Sequence, residues 1–170
     1  MTDSLNAALE QRHSLPRYQA APLGANARQH LVVMQSTAAS APFVSELDPA
    51  QVLNAEHPDF ARRLQQLLGS ATVGSHLYVM GDEAFMWRIH GLARDAGLEE
   101  QEIDLSHTLS GPRQVYCVHC GLLQAASPTA QLACLGCDVE LEVREHFSRR
   151  LGAYIGVCRN PDQPYAGAHS

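Results

Sequence analysis

Four cysteines near the end of the 170-residue chain limit its folding more than any other feature. Cys117, Cys120, Cys134 and Cys137 have the spacing C-x2-C-x13-C-x2-C, and each pair is followed by a turn-favouring residue, Gly121 or Asp138. Two such knuckles place four thiolates at the corners of a tetrahedron, an arrangement that the d¹⁰ ion Zn²⁺ accepts without geometric strain. Iron in a rubredoxin-like site would use the same donors. Two disulfides would satisfy the count, but they do not persist in a reducing compartment. Zinc is therefore the leading expectation. A zinc shell of four cysteines is coordinatively closed and leaves no position for water or substrate, so it stabilises rather than catalyses. On this reading the chain carries no catalytic residue of its own.

The segment after Gly111 needs such a cross-link, because it has too little apolar material to support a core alone. Gly111-Pro112 is a turn signal and also a change in charge. Residues 1–110 carry 7 Arg against 13 acids, net −6, whereas residues 111–170 carry 5 Arg against 5 acids, net 0. The expected organisation is an irregular arm over 1–29, an α/β domain over 30–110, and a zinc-ribbon domain with a C-terminal tail over 111–170. All twelve basic residues are Arg, a bias suited to planar contacts at protein interfaces.

Within the α/β segment, HLVVMQS (30–36) is a short β-branched run that predicts a buried strand. TAASAPFVSELDPA reads as a loop. In PDFARRLQQLLG, Phe60, Leu64, Leu67 and Leu68 fall at helical spacing between Pro58 and Gly69. HLYVMG (76–81), DEAFMWRIHGLARDAG (82–97) and EIDLS (102–106) then read as strand, helix and strand, with Asp82 as N-cap and Gly97 as C-terminal stop. The order β-α-β-α-β favours a small parallel sheet. Beyond the second knuckle, Val139, Leu141 and Val143 alternate with polar residues, as in a half-exposed strand. REHFSRRLGAYIGV (144–157) combines Arg144, Arg149 and Arg150 with Phe147 and Tyr154. It is either a solvated turn with core aromatics or an Arg/aromatic surface for another subunit. Cys158 has no partner at ligand spacing, and His119, between two ligands, and His146, in a polar run, read as solvated or hydrogen-bonded histidines rather than a fifth ligand.

The composition is 45% hydrophobic and 18% charged, and no stretch has the length of apolar sequence needed to cross a bilayer. The N-terminal residues lack the features of a secretion signal, so a cytoplasmic protein is expected. A net charge of −6 also argues against a nucleic-acid-binding ribbon, whose affinity comes chiefly from neutralised phosphates.

Two resemblances extend this reading. His76, Tyr78, Gly81, Glu83 and Met86 match the last βα unit of the nicotinamide-binding domain in ferredoxin-reductase-type flavoproteins. That family's cysteine falls on Met80 here, and its proline falls on Asp82. Two acids, Asp82 and Glu83, at a helix N-terminus disfavour a nearby phosphate, and no G-x-G-x-x-G fingerprint is present. Met80, Gly81, Asp82 and Glu83 are thus positions of a degenerate nicotinamide site.

The sequence YCVHCG, the second knuckle and VREHFSRRLGAYIGV, behind a truncated reductase-like half, resemble the small subunits of bacterial dimethylamine monooxygenases. That resemblance implies a part in the NADPH-dependent oxidative N-demethylation of dimethylamine to methylamine and formaldehyde. It also implies partner subunits that carry haem, flavin with iron-sulfur, and folate. An electron-transfer or nucleotide-binding module remains the alternative.

Overall fold

The structure, a computed structural model, describes residues 15, 16, 18, 27–48 and 50–164. The chain divides between Gly111 and Pro112 into two compact units, one containing Tyr18–Gly111 and the other containing Pro112–Ser170. The arm expected over 1–29 lies largely outside the described residues.

The first unit is an α/β domain around a four-stranded, wholly parallel sheet. Its strands are β1 (Gln29–Met34), β2 (Ala50–Asn54), β3 (Ser75–Gly81) and β4 (Ile103–His107), in the order β2-β1-β3-β4. Helix α1 (Phe60–Gly69) links β2 to β3, and helix α2 (Glu83–Asp95) links β3 to β4. Parallel strands need coverage on both faces, and the alternation of residues along β1 and β3 supplies it. Leu31, Val33, Leu77 and Val79 face one core with Leu64, Leu67 and Leu68 of α1 and Phe85, Met86 and Ile89 of α2. Val32, Met34, Tyr78 and Met80 face a second, smaller core closed by Ala39 and Leu47.

The second core corrects the expected loop over 37–50. Residues Thr37–Ala39 and Pro42–Glu46 form two 3₁₀ turns that cover the sheet, and the chain then returns as β2. The sequence pattern hides β2 because it is an edge strand that buries little. Val52 is 51% exposed and Leu53 carries its main contact with the core.

The second unit holds a five-stranded mixed sheet, in the order β6-β5-β9-β8-β7. Its strands are β5 (Arg113–Cys117), β6 (Leu123–Ala126), β7 (Gln131–Ala133), β8 (Glu140–Ser148) and β9 (Ala153–Cys158). The β5–β9 pair is parallel and the other pairs are antiparallel. Its buried hydrophobic cluster is Cys117, Cys134, Val139 and Leu141, with Leu132, Cys137 and Cys158 packed against it. Two of the four central residues are candidate ligands. None of the helices among the described residues is long and apolar enough to cross a membrane.

Gly81, where β3 enters α2, leaves no room for a side chain. A Cβ there would lie 2.6 Å from Gln35 Oε1, 2.8 Å from Phe85 Cδ1 and 2.9 Å from Gln35 Cβ. Gly81→Ala is therefore expected to destabilise the domain by about 1–3 kcal/mol, read from the urea midpoint by Trp87 fluorescence. Gly91→Ala, where no atom lies within 4 Å, is the control expected to leave the midpoint in place or raise it.

Candidate metal centre and the closed end of the parallel sheet

Each cysteine pair is built by the same local geometry. Gly121 N–H donates to the Cys117 carbonyl at 2.8 Å and Asp138 N–H to the Cys134 carbonyl at 2.9 Å. Gly121 and Asp138 both take positive φ, +78° and +56°. This left-handed step is open to Gly and tolerated by Asp. The step turns the chain back, so that Cys117 N–H donates to the Leu122 carbonyl and Cys134 N–H to the Val139 carbonyl, both at 2.9 Å. Two near-identical knuckles result, carried on the β5–β6 and β7–β8 hairpins.

The four sulfurs lie within 4.8 Å of one another. Cys117 Sγ and Cys137 Sγ are 3.9 Å apart, and Cys120 Sγ and Cys134 Sγ are 3.5 Å apart. A tetrahedron with metal–sulfur bonds of about 2.3 Å has edges of about 3.8 Å, so the sulfur set fits a tetrahedral cation. All five cysteines are free. Among the described residues, these four make up the cluster of His, Cys, Asp or Glu able to hold a metal. Neither His119 nor His146 joins it.

The electrostatics of the sulfurs support the same conclusion. Burial raises the Cys117 thiol against the backbone N–H groups of Cys120 and His119. At Cys134 burial also acts upwards, but the N–H groups of Gly136 and Cys137 and the neighbouring thiols outweigh it and bring the group to about 7. At Cys137 the N–H of Val139 favours the thiolate, yet burial and the three other sulfurs push it up to about 12. Four clustered sulfurs thus resist simultaneous deprotonation by themselves, and a divalent cation removes that conflict. Cys117, Cys120, Cys134 and Cys137 would hold the ion, and the completed shell would leave it no open position.

The positions matched to a nicotinamide site are arranged quite differently. Strand order reverses between β1 and β3, and in open parallel sheets ligands bind at the carboxyl ends of the strands at such a point. Here that end is filled. Gln35, just after β1, donates from Nε2 to Asp82 Oδ2 at 2.8 Å and accepts from Asp82 N–H at 2.7 Å. Asp82 also caps α2 by accepting from Phe85 N–H at 2.8 Å. Gly111 passes so close that a Cβ on it would be 2.7 Å from the Asp82 side chain. Met80 is fully buried in the second core. Glu83 accepts from the Tyr18 hydroxyl at 2.9 Å, and that hydroxyl accepts from Trp87 Nε1 at 2.7 Å. The N-terminus of α2 is thus capped by Asp82, with the Glu83 carboxylate beside it bonded to Tyr18. Sequence reasoning found Asp82 and Glu83 but missed Gln35, Gly111 and Tyr18. No local signal links them to the site, since Gln35 and Asp82 are 47 residues apart.

The Arg/aromatic segment forms the end of the β8–β9 hairpin. Phe147 is buried and meets the Tyr154 ring edge-on at 5.1 Å. The Arg113 guanidinium lies 4.8 Å from the Tyr154 ring centre. Arg144 pairs with Glu142 at 3.0 Å, while Arg149 and Arg150 are exposed in the turn. The aromatic members pack within the hairpin, and the arginines provide its outer charge.

Comparison with known proteins agrees with this two-unit division. Residues 42–103 match the family described as dimethylamine monooxygenase subunit DmmA-like, N-terminal domain. Residues 114–157 match the corresponding C-terminal domain. The heme-dependent oxidative N-demethylase delta subunit of Ectopseudomonas mendocina (strain ymp) is 42% identical over 170 residues, covering 95% of this chain and 97% of that relative. The chain belongs to the DmmA-like subunit family. Within this family assignment, the C-terminal match spans all four cysteines and the β8–β9 hairpin. No solved structure matches the chain.

Metal analysis of the purified protein is expected to find one metal ion per chain, and none in Cys134→Ser. Removing the ion with a strong chelator should lower the melting temperature of the C-terminal unit by more than about 10 °C. Near-ultraviolet circular dichroism from Tyr116, Phe147 and Tyr154 would follow that loss. Trp87, the single tryptophan, lies in the other unit, and its fluorescence should not change.

Proposed function

We propose that this chain is a non-catalytic accessory subunit of an oxidative N-demethylase complex that converts dimethylamine to methylamine and formaldehyde at the expense of NADPH. The observation that carries the proposal is the 42% identity, over nearly the full length of both chains, to a protein named as the delta subunit of a heme-dependent oxidative N-demethylase. Two features of the molecule support an accessory role. The four-sulfur set suits a closed structural zinc site, which offers no position for a reacting ligand. The end of the parallel sheet where a nucleotide would sit is occupied by Gln35, Asp82 and Gly111.

On this proposal the haem, the flavin with iron-sulfur and the folate belong to partner subunits in the cytoplasm. The chain contributes a folded α/β domain and a metal-clamped ribbon that dock them. Arg144, Arg149 and Arg150 offer charged contacts on one end of the ribbon. Electron transfer through iron at the same cysteines is the second reading, because tetrahedral thiolates serve either metal. A visible spectrum separates the two, since a zinc protein is colourless and an iron-sulfur centre absorbs strongly.

The purified chain alone is expected to show no NADPH oxidation with dimethylamine. Co-expressed with the other subunits, it should elute with them as one complex that turns over. Amine-dependent NADPH oxidation by the isolated chain would refute the accessory role.

A further inference from the structure

The exposed large hydrophobic residues of the structure are not scattered evenly. Of the seven among the described residues, four lie between the first and last ligand cysteines: Val118, Leu122, Leu123 and Leu135. Val118 and Leu135 occupy equivalent places, each directly after the first cysteine of its knuckle, and they are 50% and 79% exposed. Leu122 joins the two knuckles. A Cβ on Gly136 would lie 3.1 Å from Leu122 Cδ2 and 3.5 Å from Cys120 Sγ, so Leu122, the second knuckle and the exposed ligand Cys120 are contiguous. Val118, Leu122 and Leu135 thus expose apolar side chains on the two cysteine knuckles and directly beside them.

Charge sharpens the character of this surface. From Cys117 to Cys137 the sequence contains no Asp, Glu, Arg or Lys. Yet four thiolates around a divalent cation carry a net charge of −2, and Cys120 places part of it at the surface. Exposed apolar patches of this kind mark interaction sites, and cationic side chains are the natural complement of thiolate sulfur. Polar groups stand beside these apolar side chains, His119 between Val118 and Cys120 and Asp138 directly after Cys137.

We propose that the knuckle tip formed by Val118, Leu122 and Leu135 around Cys120 docks another subunit of the same complex. The partner presents an apolar surface with an Arg or Lys directed at the Cys120 sulfur. This site lies outside the Arg144–Arg150 hairpin and rests on the subunit role proposed above.

The test measures binding of the full-length, metal-loaded chain to the remaining subunits, co-expressed, purified together and immobilised. The double variant Val118→Ser, Leu135→Ser changes only exposed side chains and should keep its metal content and melting temperature. Val73→Ser is the control, because Val73 is 95% exposed in the other unit. The double variant is expected to bind at least about tenfold more weakly than wild type, with the control unchanged. If wild type binds and the double variant binds equally well, the tip is not the docking surface. If wild type alone is a dimer that the double variant abolishes, the occupant is a second copy and the partner assignment is overturned. If wild type does not bind the other subunits at all, the subunit role fails and this surface fails with it. Should the double variant lose its metal, Leu135→Ser alone, at the most exposed position, is measured by the same comparison.

Discussion

The ribbon unit depends on the conflict among four sulfurs that the fold brings within 4.8 Å of one another. Hydrophobic packing does not resolve it, because the unit's central cluster consists of Val139, Leu141 and two of the cysteines themselves. Without an ion, burial and mutual proximity hold Cys117 and Cys137 protonated while backbone N–H groups favour the thiolate at Cys134. With an ion, all four become ligands and the two hairpins are joined at their tips. The ion then occupies the place that a larger apolar core holds in an ordinary domain.

The α/β unit shows the opposite economy. Its parallel sheet is well covered on both faces, with α1 and α2 on one side and the 3₁₀ turns on the other. The strand order places a switch point between β1 and β3, where folds of this kind bind nucleotides. The chain uses that place for itself. Gln35 and Asp82 exchange two hydrogen bonds across it, and Gly111 closes over the Asp82 side chain. A nucleotide phosphate there would have to displace a helix cap and approach two carboxylates, both unfavourable at a helix N-terminus that already has its acceptor.

Much of this was legible in the sequence where a regular period met a punctuating residue. The strands β1, β3 and β4 and both helices follow from apolar spacing with Asp82, Gly97 and Gly69 at the ends. The metal ligands follow from C-x2-C spacing, because knuckle geometry is set locally by Gly121 and Asp138. Strand β2 was hidden because an edge strand needs few buried side chains. The exposure of Glu145 was hidden for a different reason. Val139, Leu141 and Val143 keep the inward period of two, but the β8–β9 register shifts between Val143 and Phe147. Phe147 falls on that same period, and the irregularity leaves Glu145, which the period would turn inward, outside with Arg144 and His146. Gln35 and Gly111 were beyond reach because their partner is supplied by tertiary folding.

A closed shell of four sulfurs would hold the ribbon together. X-ray absorption fine structure at the metal edge of the purified protein tests it most directly. Four sulfur scatterers at about 2.3 Å, with no oxygen or nitrogen in the inner shell, are expected. An inner shell of three sulfurs with one light atom would mean an open, reactive position and would contradict it.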